Sequence, residues 1–209
     1  PGFNYQGADK LGREFYEMCQ KSNPDFLMVG EGCYDLQSQY YGTYTRADYW
    51  HEPVLRYIDP TVPIACAVID HNDLNHVNMC LADRYAMSYE VRNFKGHLGE
   101  FPRVMAYGRK VDNLRRRYAD FLWNGEFLDV LGATVKGDNI RYTVFRNLKN
   151  GKKAVVVYNV DTKKANTASV SIDGSSAPLV MASPEKPAPA KFTGAVTLGP
   201  QSAVVIMEK

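Results

Sequence analysis

The stretch Asp-Phe-Leu-Met-Val-Gly-Glu-Gly-Cys-Tyr-Asp, residues 25–35, carries the strongest fold signal in this chain. Its four consecutive apolar residues, 26–29, follow Asn23-Pro24, which ends a helix, and lead into Gly30-Glu31-Gly32. An unbroken apolar run of this length predicts a strand that is buried on both faces, as in a parallel sheet. Glu31 would then lie between two glycines at the carboxyl end of the strand, the end at which α/β folds place their reactive groups.

The segments on either side of this strand fit a parallel α/β fold. Residues 8–22 have apolar residues at the spacing of an amphipathic helix. Residues 62–69 form a second apolar run, which predicts another doubly buried strand, and Asp70-His71-Asn72-Asp73 follows it directly. Asp73 also suits the N-cap of a helix that we predict from residue 74 to about residue 93. Helix, strand, helix and strand in this order are typical of a parallel α/β fold.

A further helix is predicted over residues 109–123, after a loop over residues 96–108. The pair Asn124-Gly125 would end this helix. We expect the run Arg115-Arg116-Arg117 to lie on its solvated side. The side that we expect to be buried carries Val111, Leu114, Tyr118, Phe121 and Leu122.

After Phe127 the apolar period changes from that of a helix to that of a strand. Asn150-Gly151 is a strong hairpin signal. The run that follows it, residues 154–160, is apolar on both faces, so we expect it in the centre of its sheet. Short strands at these intervals predict an antiparallel β-sandwich. The predicted strands cover residues 140–147, 154–160, 167–172, 179–182, 191–198 and 203–207.

The chain therefore has two predicted domains, an α/β part over residues 1–128 and an all-β sandwich over residues 129–209. A net charge of −4 for residues 1–135 and of +6 for residues 136–209 supports such a division. Two parallel strands cannot close a barrel or form a stable parallel sheet alone. We therefore expect residues 1–128 to be the C-terminal portion of a (β/α)8 barrel. The remainder of that barrel would come from a missing N-terminal part or from another chain.

The composition is that of an ordinary globular protein, with 45% hydrophobic and 23% charged residues. No apolar run approaches the roughly 20 residues that span a bilayer, so we predict no membrane partner. The overall net charge of +2 is too small to favour a nucleic-acid partner. The four cysteines form no C-x-x-C pair, and we expect free thiols.

Residues 32–52 are predicted to form a long loop at the carboxyl end of the first strand. The loop is rich in tyrosine, amide and hydroxyl side chains and contains Tyr34, Asp35 and Trp50. Aromatic rings stack on the C–H faces of pyranoses, while polar groups bind sugar hydroxyls. This composition favours a sugar-binding loop, although the tyrosines could instead pack on the rim of the fold.

Several motifs together resemble those of a known enzyme group. They lie at residues 26–32, 63–70, 114–122, 154–160 and 198–206. With them, the chain resembles the end of a bacterial (β/α)8-barrel glycoside hydrolase that carries a C-terminal β-sandwich, in the broad manner of the α-amylase and α-galactosidase groups. The resemblance implies a carbohydrate substrate, a role in polysaccharide degradation and a periplasmic or extracellular location. Glu31 would close the seventh strand, where barrel glycosidases with a glutamate nucleophile place it, whereas amylase-like enzymes keep their key acids on earlier strands.

Glycoside hydrolysis requires two carboxylates, about 5–5.5 Å apart for retention of configuration and roughly 6.5–9.5 Å apart for inversion. We predict Glu31 as one of them, acting as nucleophile or as acid/base, and Asp70 as its partner within this chain. The alternative for Glu31 is a structural carboxylate that accepts hydrogen bonds from loop amides. The predicted substrate-binding residues are Tyr5, Tyr34, Asp35, Trp50, His71 and Asp73.

Other kinds of site have weaker support. His71 and His76 are five residues apart and show no H-E-x-x-H pattern, so we favour sugar binding over a metal site and predict no cofactor. Cys33 lies beside Glu31 and is a less favoured nucleophile. A different class also remains open, in which the chain is a non-catalytic carbohydrate-binding or assembly module built on part of a barrel.

Overall fold

A computed structural model of the chain describes residues 5–31, 43–45, 56–57, 60–69, 73–90 and 96–209. For residues 5, 6, 8, 31 and 43–45 it describes the backbone alone. The chain divides into two compact units, residues 1–66 and 67–209. The predicted domain boundary at residues 128 and 129 lies inside the second unit and remains a prediction. Within the described residues, no helix is both long and apolar enough to cross a membrane.

In the first unit, helix α1 extends over Tyr5–Ser22, which confirms the predicted helix and begins it three residues earlier. It ends where the backbone N–H of Asn23 donates to the carbonyl of Cys19 at 2.9 Å. Strands β1 (Val29–Glu31) and β2 (Thr43–Thr45) then form a parallel pair. The prediction of a continuous loop over residues 32–52 is therefore wrong at residues 43–45.

The prediction of a doubly buried strand at residues 26–29 is wrong. The strand begins only at Val29, and the exposed fractions of Leu27 and Val29 are 60% and 51%. Phe26 instead packs on α1, with its ring centroid 6.2 Å from that of Phe15 in an edge-to-face arrangement. The apolar run is thus divided between helix packing and strand pairing, a division that the run itself does not reveal.

Strand β3 (Ala65–Ala67) crosses from the first unit into the second. Burial alternates along this part of the chain, because Val62, Ile64 and Cys66 are buried whereas Pro63 is exposed. The prediction that residues 62–69 are buried on both faces is therefore wrong for the first part of the run. Alternation is the pattern of a strand that has one covered face.

Helix α2 (Leu74–Ala82) is buried along its whole length. The prediction that it continues to about residue 93 is wrong. Arg84 takes a φ of 57°, and the N–H of Tyr85 donates to the carbonyl of Cys80 at 2.9 Å, which closes a Schellman-type end. Strand β4 (Ala86–Ser88) follows. Because arginine seldom adopts this left-handed conformation, the sequence does not mark the end of the helix.

Helix α3 (Pro102–Arg117) begins seven residues before its predicted start. A 3-10 turn over Leu98–Glu100 precedes it, and Pro102 occupies the first helical turn, where a missing N–H costs nothing. Tyr118 separates α3 from the short helix α4 (Ala119–Leu122). Of the side chains predicted to be buried, Val111, Leu114 and Leu122 are buried, while Tyr118 and Phe121 are half-buried.

The prediction that all three arginines at residues 115–117 face solvent is wrong for Arg115. Its side chain is 3% exposed, and its guanidinium donates to the carbonyls of Cys80 and Tyr85 at 2.7 and 2.8 Å. The Cys80 carbonyl belongs to the last turn of α2, where the helix cannot satisfy all of its own acceptors, and the Tyr85 carbonyl lies just after the helix. Burial lowers the pKa of Arg115. Arg116 and Arg117 are exposed, as predicted.

The rest of the chain forms strands. They are β5 (Glu126–Phe127), β6 (Ala133–Lys136), β7 (Ile140–Arg146), β8 (Lys153–Asn159), β9 (Asn166–Ile172), β10 (Leu179–Ala182), β11 (Ala190–Lys191), β12 (Ala195–Leu198) and β13 (Ala203–Glu208). One sheet has the order β11-β10-β13-β8-β7-β5 and another the order β12-β9-β6, with antiparallel pairing. The predicted hairpin at Asn150-Gly151 and the central position of the following strand are confirmed.

The single strand predicted at residues 191–198 is in fact two strands in different sheets. Between β11 and β12, Gly194 takes a φ of 100°, which lets the chain leave the six-stranded sheet and enter the three-stranded one. Both sheets contribute to one apolar core, with Val144, Val155 and Ile206 from the larger sheet and Val170 and Ile172 from the smaller. This arrangement agrees with the predicted antiparallel β-sandwich.

The six-stranded sheet is covered on its other face by helices. Thr143 on β7 donates to the carbonyl of Ala82 at the end of α2 at 2.7 Å, and Asn75 donates to the carbonyl of Val160 at 2.9 Å. Residues 154–159 of β8 are accordingly buried at every position. The second unit therefore has a helical layer, a six-stranded sheet and a three-stranded sheet.

The role of Arg115 leads to a stability prediction. Replacing Arg115 by Met, which has a similar length but no donor, should lower the free energy of unfolding by about 2–4 kcal/mol, because two buried carbonyls lose a charged donor. Arg117→Met on the solvated side of α3 is the matched control and should change it by less than about 0.5 kcal/mol. Urea unfolding with an unchanged m-value measures the difference. Equal losses for the two variants would contradict this role of Arg115.

Candidate functional site

Glu31 lies at the carboxyl end of β1, as predicted. The register of the parallel pair places Val29 beside Thr43, Gly30 beside Tyr44 and Glu31 beside Thr45. The backbone thus brings Glu31 to the edge at which parallel strands present side chains to a ligand.

Other predicted site residues fall outside the described part of the chain. Tyr5 is the first residue of α1, and only its backbone is described. The remaining residues outside the description are Tyr34, Asp35, Trp50, Asp70 and His71, together with Cys33. Their roles remain predictions. Cys19, Cys66 and Cys80 are free thiols, as expected.

Asp73 is the predicted site residue whose side chain is described, and it caps α2 as predicted. Its Oδ1 accepts the backbone N–H of Asn75 at 2.8 Å, and its own φ of −115° and ψ of 126° are those of an N-cap. Oδ1 also accepts a short hydrogen bond from Nε2 of Gln201. Asp73 is thus held from two sides by the protein, and its predicted contact with substrate remains to be tested.

Gln201 connects the helical layer to the turn before β13. Besides its bond to Asp73, its Oε1 accepts from Arg103 at 3.2 Å, and its backbone carbonyl accepts from Asn78 Nδ2 at 3.0 Å. The backbone N–H donates to the carbonyl of Asp161 at 3.0 Å. The residue is buried and takes a φ of 51°, so one strained position supplies partners to α2, α3 and a sandwich loop.

Tyr107 completes this polar network from α3. Its hydroxyl donates to Oδ1 of Asn78 at 2.8 Å, in a buried position. Burial raises the pKa of Tyr107 well above its ordinary value, so the phenol stays neutral and remains a donor. Both polar ends of the Asn78 side chain are therefore satisfied, which a buried amide requires.

Sequence reasoning missed Gln201, Asn78 and Tyr107 as a group. Gly199-Pro200 before Gln201 does indicate a turn, but the partners of Gln201 lie far away along the chain. Among the side chains that the structure describes, no three His, Cys, Asp or Glu residues lie close enough together to hold a metal ion.

The arrangement leaves a short segment between two fixed points. Ile69 is fully buried after β3, and Asp73 is fixed to Asn75 and Gln201. Asp70 is thus one peptide bond from a buried residue, and three residues separate the two anchors. Carboxylates attached to such rigid supports can be held in a set position, which catalysis and binding require.

The comparisons with known proteins concern the fold. No family model matches the chain, and no curated protein matches its sequence. Among solved structures, a noncanonical maltogenic α-amylase, AmyB of Thermotoga neapolitana, is similar with a TM-score of 0.60 at 8% identity, over 93% of this chain. Amy13B of Eubacterium rectale has a TM-score of 0.49 at 12% identity, over 91% of this chain. The chain spans 58% and 54% of these two proteins.

The Gln201 network predicts a measurable cost for losing one side chain. Gln201→Gly keeps the backbone contacts and the positive φ but removes the bonds to Asp73 and Arg103, so unfolding should become easier by about 1–3 kcal/mol. Asn139→Gly is the control, because Asn139 is exposed and has a φ of 56°. Thermal and urea unfolding would compare the two. A loss no greater than that of the control would show that the buried amide contributes nothing.

Proposed function

We propose that this chain is part of a glycoside hydrolase that cleaves O-glycosidic bonds in an oligosaccharide or polysaccharide. The observation that carries the proposal is the fold similarity to a maltogenic α-amylase, which extends over 93% of the chain at a TM-score of 0.60. An α-glucan is therefore the first substrate class to test. The composition of residues 32–52 supports a sugar ligand independently, through their aromatic, amide and hydroxyl side chains.

Glu31 is the proposed nucleophile. Its support is the position of its backbone at the carboxyl end of a parallel strand, between two glycines that leave room for a substrate to approach. In this role its carboxylate attacks the anomeric carbon, the glycosidic oxygen leaves with a proton from an acid, and water then releases the sugar. In the first step the glycosidic bond breaks as the bond between the anomeric carbon and Glu31 forms. In the second step that bond breaks as water adds to the anomeric carbon.

Asp70 is the proposed acid/base partner within this chain. The segment that carries it is short and has buried Ile69 on one side and the capped, Gln201-bound Asp73 on the other. Around the pair we propose Tyr5, Tyr34, Asp35, Trp50, His71 and Asp73 as sugar contacts.

The remainder of the barrel is proposed to cover an apolar surface of the first unit. On α1, Leu11, Phe15 and Met18 follow a helical spacing and are exposed, and Leu27 and Val29 are exposed as well. Large apolar side chains grouped at helical spacing are seldom left in water and indicate a surface that something covers. Further barrel elements, from the same protein or another chain, would bury them.

Hydrolysis of a panel of α- and β-linked aryl glycosides and malto-oligosaccharides tests this function in the full-length protein. Glu31→Gln removes the charge but keeps the shape, and kcat should fall by about two to four orders of magnitude. Glu17→Gln on α1, where the side chain is exposed, is the control and should leave kcat unchanged.

Two outcomes would contradict the proposal. If Glu31→Gln keeps the activity of the parent protein, then Glu31 is structural and the catalytic carboxylates lie elsewhere. If no glycoside is hydrolysed while sugars still bind, the chain belongs to a carbohydrate-binding or assembly module instead.

Asp70→Asn should lower kcat as well. The kcat for activated substrates with a good leaving group should fall less, because these substrates need less help from an acid.

A further inference from the structure

A cleft in the second unit is lined by none of the residues that we predict for the sugar site. It has a volume of about 670 Å³, within the range of small-molecule sites, and lies between β4, the segment after it, α3 and α4. Met87, Met105 and Ala106 supply apolar walls, and Trp123 lines it with 45% of its surface exposed. The cleft therefore combines an apolar floor with an accessible aromatic ring.

The charges around this cleft are unbalanced. Among the described residues, Arg109, Arg115 and Arg116 line it, with Asp112 as the one carboxylate. Asp112 Oδ2 accepts from Nε of Arg116 at 2.7 Å, so these two charges offset each other. Arg109 and Arg115 have no carboxylate hydrogen-bonded to them in the described part of the chain, and they leave the cleft with a net positive charge. A ligand that carries an anionic group would complement it.

Arg115 has a second property that points to a charged ligand. Its guanidinium carbon lies 4.9 Å from the centre of the Trp123 ring, a cation–π contact. Nε of Arg115 is buried, and among the described residues it has no hydrogen-bond partner. Arg115 donates to neutral carbonyls, and the carboxylate that acts on its charge, Asp112, is hydrogen-bonded to Arg116, so a further anion nearby would be favourable even without direct contact.

Tyr89 forms another wall and could supply a hydroxyl. It packs against α3 at Gly108, where an added Cβ would lie 2.3 Å from the Tyr89 hydroxyl oxygen. This close approach requires glycine and fixes the ring at the side of the cleft. Its hydroxyl lies 3.7 Å from the sulfur of Met87, a weak contact that a ligand hydroxyl could replace.

We propose that this cleft binds an anionic pyranose, either a sugar acid or a sugar phosphate, with the ring on Trp123 and the anionic group near Arg109. Trp123 accounts for the stacked ring of the ligand, and the arginines of the cleft account for its negative charge. The choice of a sugar over another anion that contains a ring rests on the proposed function.

Fluorescence of Trp123 provides the test. This chain contains two tryptophans, so Trp50→Phe leaves Trp123 as its single indole, and a matched Trp50→Phe/Trp123→Phe variant gives the signal of any tryptophan outside this chain. This protein is titrated with glucuronate, glucose 6-phosphate, glucose and benzoate. We expect a saturable change with at least one of the two sugar anions, at a Kd several-fold below that of glucose, and weaker binding at high salt. Whether glucuronate or glucose 6-phosphate binds more tightly distinguishes a carboxylate from a phosphate ligand.

Two variants of α3 are matched in charge. Arg109→Gln removes an arginine that lines the cleft and should raise the Kd about two- to fivefold. Arg117→Gln removes an exposed arginine of the same helix outside the cleft and should leave the Kd unchanged. Any one of four results would overturn the proposal: neither sugar anion binds, only benzoate binds, glucose binds as tightly as the sugar anions, or the two variants change the Kd equally. Because binding is measured without hydrolysis, these results do not depend on the outcome for Glu31.

Discussion

A helix that is buried along its whole length needs partners for the backbone groups at both of its ends, and α2 imposes this constraint on the second unit. At the N-terminal end, Asp73 caps the helix and is itself held by Gln201. At the C-terminal end, Arg115 donates to the carbonyl of Cys80, and Thr143 donates to that of Ala82. Unpaired, each of these groups would cost free energy comparable to a lost hydrogen bond. The helical layer and the sandwich are therefore joined by polar contacts as well as by apolar packing.

This constraint also bears on the candidate site. The chain enters α2 from residues 70–72, so the contact that satisfies the helix start also fixes the end of the segment that carries Asp70. Gln201 belongs to a turn of the sandwich, just before β13. The sandwich therefore does more than cover apolar surface, since the Gln201 side chain holds the N-cap residue of α2. Such support by surrounding groups is what holds reactive side chains in a productive geometry.

Local patterns predicted much of the sandwich. The bounds of β10 match the prediction, the Asn150-Gly151 hairpin is present, and the run after it forms a central strand because residues 154–158 are apolar enough to be covered on both faces. The N-cap at Asp73 also follows from local chemistry. For the site, the sequence placed Glu31 correctly at the end of a parallel strand.

Features that depend on distant partners could not be predicted in this way. Arg115 resembles its neighbours in sequence. It is nevertheless buried, because the carbonyls of Tyr85 and Cys80, 30 and 35 positions away along the chain, need a donor. Helix α2 ends at Ala82 because Arg84 takes a left-handed conformation that arginine rarely adopts, and Arg84 in turn donates to the carbonyl of Gly125 at 2.8 Å. Phe26 packs on α1, and the strand begins only at Val29. In each case a contact within the folded protein overrides the local preference.

The most direct test of the central claim is to trap the glycosyl-enzyme intermediate. The full-length protein is incubated with 2-deoxy-2-fluoro glycosides of the α and β series, which slow the release step, and is then digested with trypsin. Cleavage after Lys21 and Arg46 yields a peptide that contains Glu31. If Glu31 is the nucleophile, mass spectrometry will find the fluorosugar on this peptide, and fragmentation will assign it to Glu31 and not to Asp25 or Asp35. A label on any other residue, or turnover of glycosides without any label, would contradict the account.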